Sequence, residues 1–132
     1  MNKCIVSATV MIIMALVLGF LIHDVLLKAD YAQLSNLMRP AADVQGNLVY
    51  LLVGNVFIGA AFAWIYVQGK EDKPWLMQGL RFGLAVAFLT AIPFYLVYHA
   101  VAPIPLALAL KAMVLETIRI LLMGVVLAWI NR

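Results

Sequence analysis

The chain has 132 residues, 67% of them hydrophobic and 11% charged, with a formal net charge of +3. A soluble domain is about 45–50% apolar and ~25% charged, so there is too little polar surface here to coat a water-facing globule. The mean hydropathy of +1.07 leaves hydrocarbon, and so membrane lipids, as the surroundings of most side chains. Nucleic acid is excluded as a partner, because the basic residues form no stripe with interleaved aromatics.

A bilayer-spanning helix needs roughly 20 mostly apolar residues. Four such runs and short connectors use nearly the whole chain. They predict an all-α fold, a four-transmembrane-helix bundle making a single integral membrane domain over residues 1–132. A β-barrel is excluded because the runs are continuous rather than alternating. The first runs from about Ile5 to about His23. It follows Met-Asn-Lys as a signal peptide would, but it is long for a signal core and no small-residue cleavage box follows. It reads as a retained first span. Cys4 is alone, so neither an intrachain disulfide nor a cysteine metal site is expected.

The first connector, about Asp24 to Gly46, is the longest. Leu27, Tyr31, Leu34 and Met38 recur at helical intervals, and Lys28, Asp30, Gln33 and Arg39 fall on other faces. This predicts a short amphipathic helix, stopped by Pro40, lying on the outer membrane surface or capping the bundle.

Span two covers about Leu48 to Val67. Asn55 lies within it, where its amide can bond across to another helix, and Gly54, Gly59 and Ala63 read as notches for close helix approach. The charged loop Gln68 to Pro74 is short. Gly69 suits a helix end and Pro74 a helix start, and the short link predicts that spans two and three are antiparallel neighbours. Span three, about Trp75 to Tyr98, holds Gln78 and Arg81 near its start, where Arg81 can snorkel to headgroups. Pro93, following Thr90, predicts a kink that frees a carbonyl near Leu89. The pattern Gln78-Gly79-Leu80-Arg81-Phe82-Gly83, with Pro93 downstream, resembles small four-span bacterial membrane proteins. The resemblance implies a bacterial inner membrane and no particular activity. Pro103 and Pro105 stiffen the second outer connector, and span four runs from about Leu106 to Ile130.

Lys3, Lys70, Lys73, Arg81 and Arg132 lie on one side of these spans, and Lys28, Arg39 and Lys111 on the other. The positive-inside rule places both termini in the cytoplasm. Trp64, Tyr66, Trp75, Tyr98 and Trp129 fall near span ends, as interfacial aromatics do. Gly59-Ala-Ala-Phe-Ala-Trp-Ile-Tyr66 in span two resembles Gly124-Val-Val-Leu-Ala-Trp-Ile-Asn131 in span four. The match raises two repeated helical hairpins, and equally a chance likeness between apolar helices, which draw on a small alphabet.

Ionisable groups inside a span cost roughly 2.5–3.5 kcal/mol each and turn toward the bundle interior. Glu116 and Arg119 are three residues apart and share a face with Ala112, Met123 and Ile130. They form either a self-neutralising pair that sets helix packing or a substrate, ion or proton site. With Asn55, and with His23, Asp24 and His99 at the outer span ends, they make a candidate polar cluster. No metal site is expected, since no ligand spacing is present, and no haem or other cofactor, since two histidines are too few for several bis-His sites. No catalytic motif is present, so an enzyme is not expected. The small size and short loops predict an accessory or scaffolding subunit packing against other membrane-protein subunits, or self-associating. The alternative is a small-molecule or ion binding and transport protein built on the outer polar cluster.

Overall fold

The computed structural model describes residues 2–34 and 36–132. It is helical throughout, with no strand among the described residues. In chain order the elements are α1 (Lys3–Phe20), a π-helical turn (Leu21–Leu26), α2 (Lys28–Ala32), α3 (Ala41–Gly46), α4 (Leu48–Gly69), α5 (Trp75–Leu89), α6 (Ala91–Val101) and α7 (Leu106–Ile130). Four helical segments, Lys3–Leu26, Leu48–Gly69, Trp75–Val101 and Leu106–Ile130, are long and apolar enough to cross a bilayer, which is compatible with a multi-pass membrane protein.

The boundaries follow from local chemistry. The Asn2 side chain accepts from the Cys4 N–H at 3.0 Å and so caps α1. Gly69 ends α4, and Pro74 and Pro105 stand immediately before α5 and α7. The Pro93 break occurs where sequence places it. Thr90 is distorted from ideal helical angles, at φ −117°, ψ −75°, which separates α5 from α6, and its hydroxyl donates to the Val86 carbonyl at 2.7 Å.

The helices are arranged as an open arc. α4 packs on α1, α1 touches α7, and α7 packs on α5 and α6. Glycines set both tight contacts. A Cβ on Gly59 would lie 2.4 Å from the Ile12 backbone nitrogen, and one on Gly79 would lie 2.6 Å from the Gly124 carbonyl oxygen. Gly54, read from sequence as a third notch, faces open space. Spans two and three adjoin, as their short link predicts, but they pack loosely: α4 and α5 are not among the closely packed helix pairs. They touch through side chains toward the terminal end, where the Phe62 and Phe82 rings are 4.7 Å apart and Tyr66 meets Phe82 at 5.3 Å. Gln78 holds the loop between them, accepting from the Glu71 N–H at 2.7 Å and donating to the Glu71 and Lys73 carbonyls. The adjacent Lys73 keeps the Glu71 carboxyl below its ordinary range.

The first connector differs from the predicted amphipathic helix. Helix α2 has 5 residues, and turns come after it at Leu34, Leu37 and Met38. Ser35, inside the predicted helix, lies outside the described residues. Leu27 is buried with Ile22, Leu108 and Ala112, and Tyr31 and Leu34 pack over them beside Tyr95 and Ile104. Met38, assigned to the same face, is exposed. The segment therefore caps one end of the molecule by folding onto α6 and α7, which satisfies its apolar residues sooner than extending the helix would.

The opposite end is tied by its termini. The Asn131 amide donates to the Ser7 hydroxyl at 2.8 Å, and Lys70 donates to the Asn131 carbonyl at 3.0 Å. The Arg132 guanidinium sits between the Trp75 and Trp129 rings, 5.9 and 5.3 Å from their centroids.

Candidate functional site

The polar cluster is assembled by α7. Ala112, Glu116, Arg119 and Met123 are buried along one stripe of that helix, and Ile130 at its end is half-buried. Glu116 and Arg119 bond directly, with Arg119 Nη1 donating to Oε2 at 2.9 Å and Oε1 at 3.2 Å. The second guanidinium nitrogen, Nη2, donates to the Ala15 carbonyl of α1 at 2.5 Å and to the Asn55 Oδ1 of α4 at 3.2 Å. Asn55 is fixed for this role because its own amide donates back to the Leu51 carbonyl at 2.9 Å. Gly19 leaves the guanidinium room, since a Cβ there would stand 3.2 Å from Nη2. Arg119 thus joins three helices at one point. Its Nε is buried with no acceptor among the described residues.

The π-helical turn brings the imidazole. Such a turn inserts an extra residue and shifts the helical phase of the residues beyond it. Here the shift buries Ile22 and Leu27 toward α7 and points His23 at Glu116. His23 Nε2 lies 2.7 Å from Glu116 Oε1, and Nδ1 lies 2.8 Å from the Tyr31 hydroxyl. A carboxylate only accepts, so Nε2 carries the proton and donates to Glu116. Nδ1 then accepts from the Tyr31 O–H. Burial, followed by the nearby charge of Glu116, pushes the Tyr31 hydroxyl up to about 12, so it keeps its proton throughout the neutral range. The side chain of His23 is 35% exposed, against 10% for Glu116, so this hydrogen-bonded chain leads from the capped surface to a buried ion pair.

Four of the six sequence-predicted residues converge: Glu116, Arg119, Asn55 and His23. Asp24 and His99 do not. Asp24 is exposed and makes no hydrogen bond to Glu116 or Arg119. His99 donates from Nδ1 to the Ile104 carbonyl at 2.6 Å and so closes the turn after α6. Tyr31, Tyr95 and the Ala15 carbonyl were missed by sequence reasoning. Tyr31 was visible there only as one of four apolar-face positions, and the placement of a backbone carbonyl has no sequence signal. Among the described residues no group of three or more His, Cys, Asp or Glu side chains could hold a metal ion.

Beside the ion pair lies a cleft of about 860 Å³. Ile58, Ala61, Phe62 and Ile65 of α4 form one wall, and residues of α5 and α6 from Phe82 to Tyr98 the other. Glu116, Arg119, Ile120 and Met123 of α7 make its floor. The splay of α4 from α5 and the break at Thr90 create it. The Phe62 and Phe82 rings meet across it toward the terminal end. Apart from Glu116 and Arg119 its lining is apolar or aromatic, with polar atoms contributed by Thr90, Tyr95 and Tyr98.

No protein-family model, no curated protein and no solved structure matches this chain.

Proposed function

We propose that the protein is a small multi-pass membrane protein that binds an amphipathic small molecule in the cleft between α4 and α5–α6. The single observation behind this reading is an apolar chamber floored by an ion pair. Its volume, about 860 Å³, falls in the roughly 300–1,000 Å³ range of small-molecule sites. Lipid fills any apolar groove by default, but a groove that served only acyl chains would need no Glu116–Arg119 pair beneath it, because such groups are expensive in hydrocarbon. The pair is what would orient a polar group. The splayed helices open sideways, so the ligand enters from the lipid phase. The accessory-subunit reading draws on the many exposed apolar side chains, which lipid satisfies equally well, and no feature of the fold favours a partner helix over tails.

The membrane is proposed to be a bacterial inner membrane, with the termini and the 70–74 loop cytoplasmic and the capped end outside. The charge asymmetry supports this, since Lys3, Lys70, Lys73, Arg81 and Arg132 are on the terminal side. We also read the two hairpins, α1–α4 and α5–α6–α7, as repeats about an axis along the membrane normal. Supporting this, Gly59, Phe62, Ala63 and Tyr66 are buried, and so are their counterparts Gly124, Leu127, Ala128 and Asn131.

Photolabelling tests the site. A long-chain alcohol bearing a diazirine, added to the protein in nanodiscs, should crosslink saturably to Ile58, Phe62, Val86 and Tyr95. Unlabelled alcohol should compete it away, and Ala61→Trp, which fills the cleft from an exposed position, should abolish it. Non-competable labelling spread evenly over Ile13, Val17 and the cleft would show that only bulk lipid occupies the groove.

A further inference from the structure

The shape of the cleft does not explain why its floor is wired to the capped surface through an imidazole. We infer that the cleft takes up an amphipathic monoanion together with one proton, which resides on His23. This rests on the cleft being a ligand site. With His23 neutral, the charges of Arg119 and Glu116 cancel, and Nε2 donates to Glu116 while Nδ1 accepts from Tyr31. A second proton at Nδ1 needs only a rotation of the Tyr31 hydroxyl, from donor to acceptor. Its hydrogen then turns away from the imidazole, on the side where Tyr95 packs. Both states keep the bonds from His23 to Glu116 and to Tyr31, so no packing has to break between them.

What changes is charge. Once His23 is protonated, a single carboxylate serves two cations, and one positive charge is left over in a cluster whose ion pair is buried and whose imidazole is only part-exposed. Uncompensated buried charge is strongly unfavourable. An anion against Arg119 in the cleft removes it. An anion arriving while His23 is neutral would instead leave a surplus negative charge. Each event therefore favours the other, and the linkage is reciprocal.

The other charged and polar groups around His23 are exposed or already engaged. On its own turn, Asp24 is exposed. On α2, Asp30 is held by Lys111 of α7 at 2.9 Å. α1 offers the Ala15 carbonyl and α4 the Asn55 amide, both already bonded to Arg119. α6 presents Tyr95, and its His99 is turned to the Ile104 carbonyl. A cationic ligand would face Arg119 unfavourably, and a neutral one would gain nothing from the proton. The chemistry fits a free single-chain acid and an anionic lipid headgroup alike.

The test uses the whole protein in nanodiscs of zwitterionic lipid, with empty discs subtracted. The probe is a radiolabelled long-chain alkylsulfonate, which stays anionic throughout. As pH falls from about 8 to about 5, its affinity should rise by up to about tenfold per pH unit, the slope of one linked proton. The long-chain alcohol should bind with no such slope. His23→Gln should flatten the sulfonate profile. Tyr31→Phe, a milder change, should shift the profile to lower pH, because the charged imidazole loses a stronger hydrogen bond than the neutral one. A flat profile in the native protein, or an unchanged slope in His23→Gln, would overturn the inference. If the alcohol labels the cleft while sulfonate binding ignores pH, only the proton linkage fails; if neither probe enters the cleft, the ligand site itself fails. Adding phosphatidylglycerol to the discs separates the two sources, and both results support a monoanion: competition assigns the site to a headgroup, and its absence to a free acid.

Discussion

Arg119 carries more of this molecule than any other side chain, because it bonds α1 and α4 and salt-bridges within α7. Its pairing with Glu116 was readable from their spacing, since helical residues three apart share a face. Sequence also grouped Asn55 with the pair as a polar residue able to bond across helices, but the contact with the Ala15 carbonyl was not readable, since it depends on how three helices converge. The energetics of such a pair are asymmetric. Removing one partner leaves a buried charge and costs about 3–5 kcal/mol, whereas replacing both with apolar residues of similar size is often neutral. Arg119→Met alone should therefore lower unfolding stability in mild detergent by about that amount. The double variant Glu116→Leu/Arg119→Met should recover most of the loss while abolishing cleft labelling. A denaturant titration of the three proteins measures the difference, and equal instability of single and double variants would contradict the balance of charges described here.

Among the helices, glycine marks the contacts that matter, and position within the arc decides which glycines those are. Gly54 and Gly59 look alike in sequence, yet only Gly59 touches a neighbouring backbone. Gly79 and Gly124 meet face to face, each blocking a Cβ on the other. Gly79→Ala should destabilise the α5–α7 pair by about 1–3 kcal/mol, the usual cost of overpacking. Gly54→Ala, in open space within a helix, should be neutral or stabilising by up to about 1 kcal/mol. Thermal unfolding of the two variants in the same detergent checks both signs. The connector after α1 makes a similar point. Its periodic apolar residues were legible, but the chain spends them on a π turn, a short helix and turns, because Leu27, Tyr31 and Leu34 find a surface on α6 and α7. No periodicity within the segment could reveal that surface.

At the level of the molecule, charge and hydropathy give an orientation that can be checked directly. In a Cys4→Ser background, Asn36→Cys on the capped end should react with a membrane-impermeant maleimide added to intact cells. The native Cys4 should react only after the membrane is permeabilised. The reverse pattern would invert the topology and place the His23 route on the cytoplasmic side.

Composition and the four apolar runs were sufficient for an all-helical chain with helices of bilayer length, because burying backbone polar groups in oil leaves few other choices. Proline and glycine positions were sufficient for the helix ends and the Thr90 break, since those residues act through their own backbone geometry. The open arc, the cleft and the route from His23 to Arg119 belong to the folded molecule alone. They arise from which helices approach and which splay apart, and residues as distant in sequence as Ala15, Asn55 and Arg119 meet only once that packing is complete.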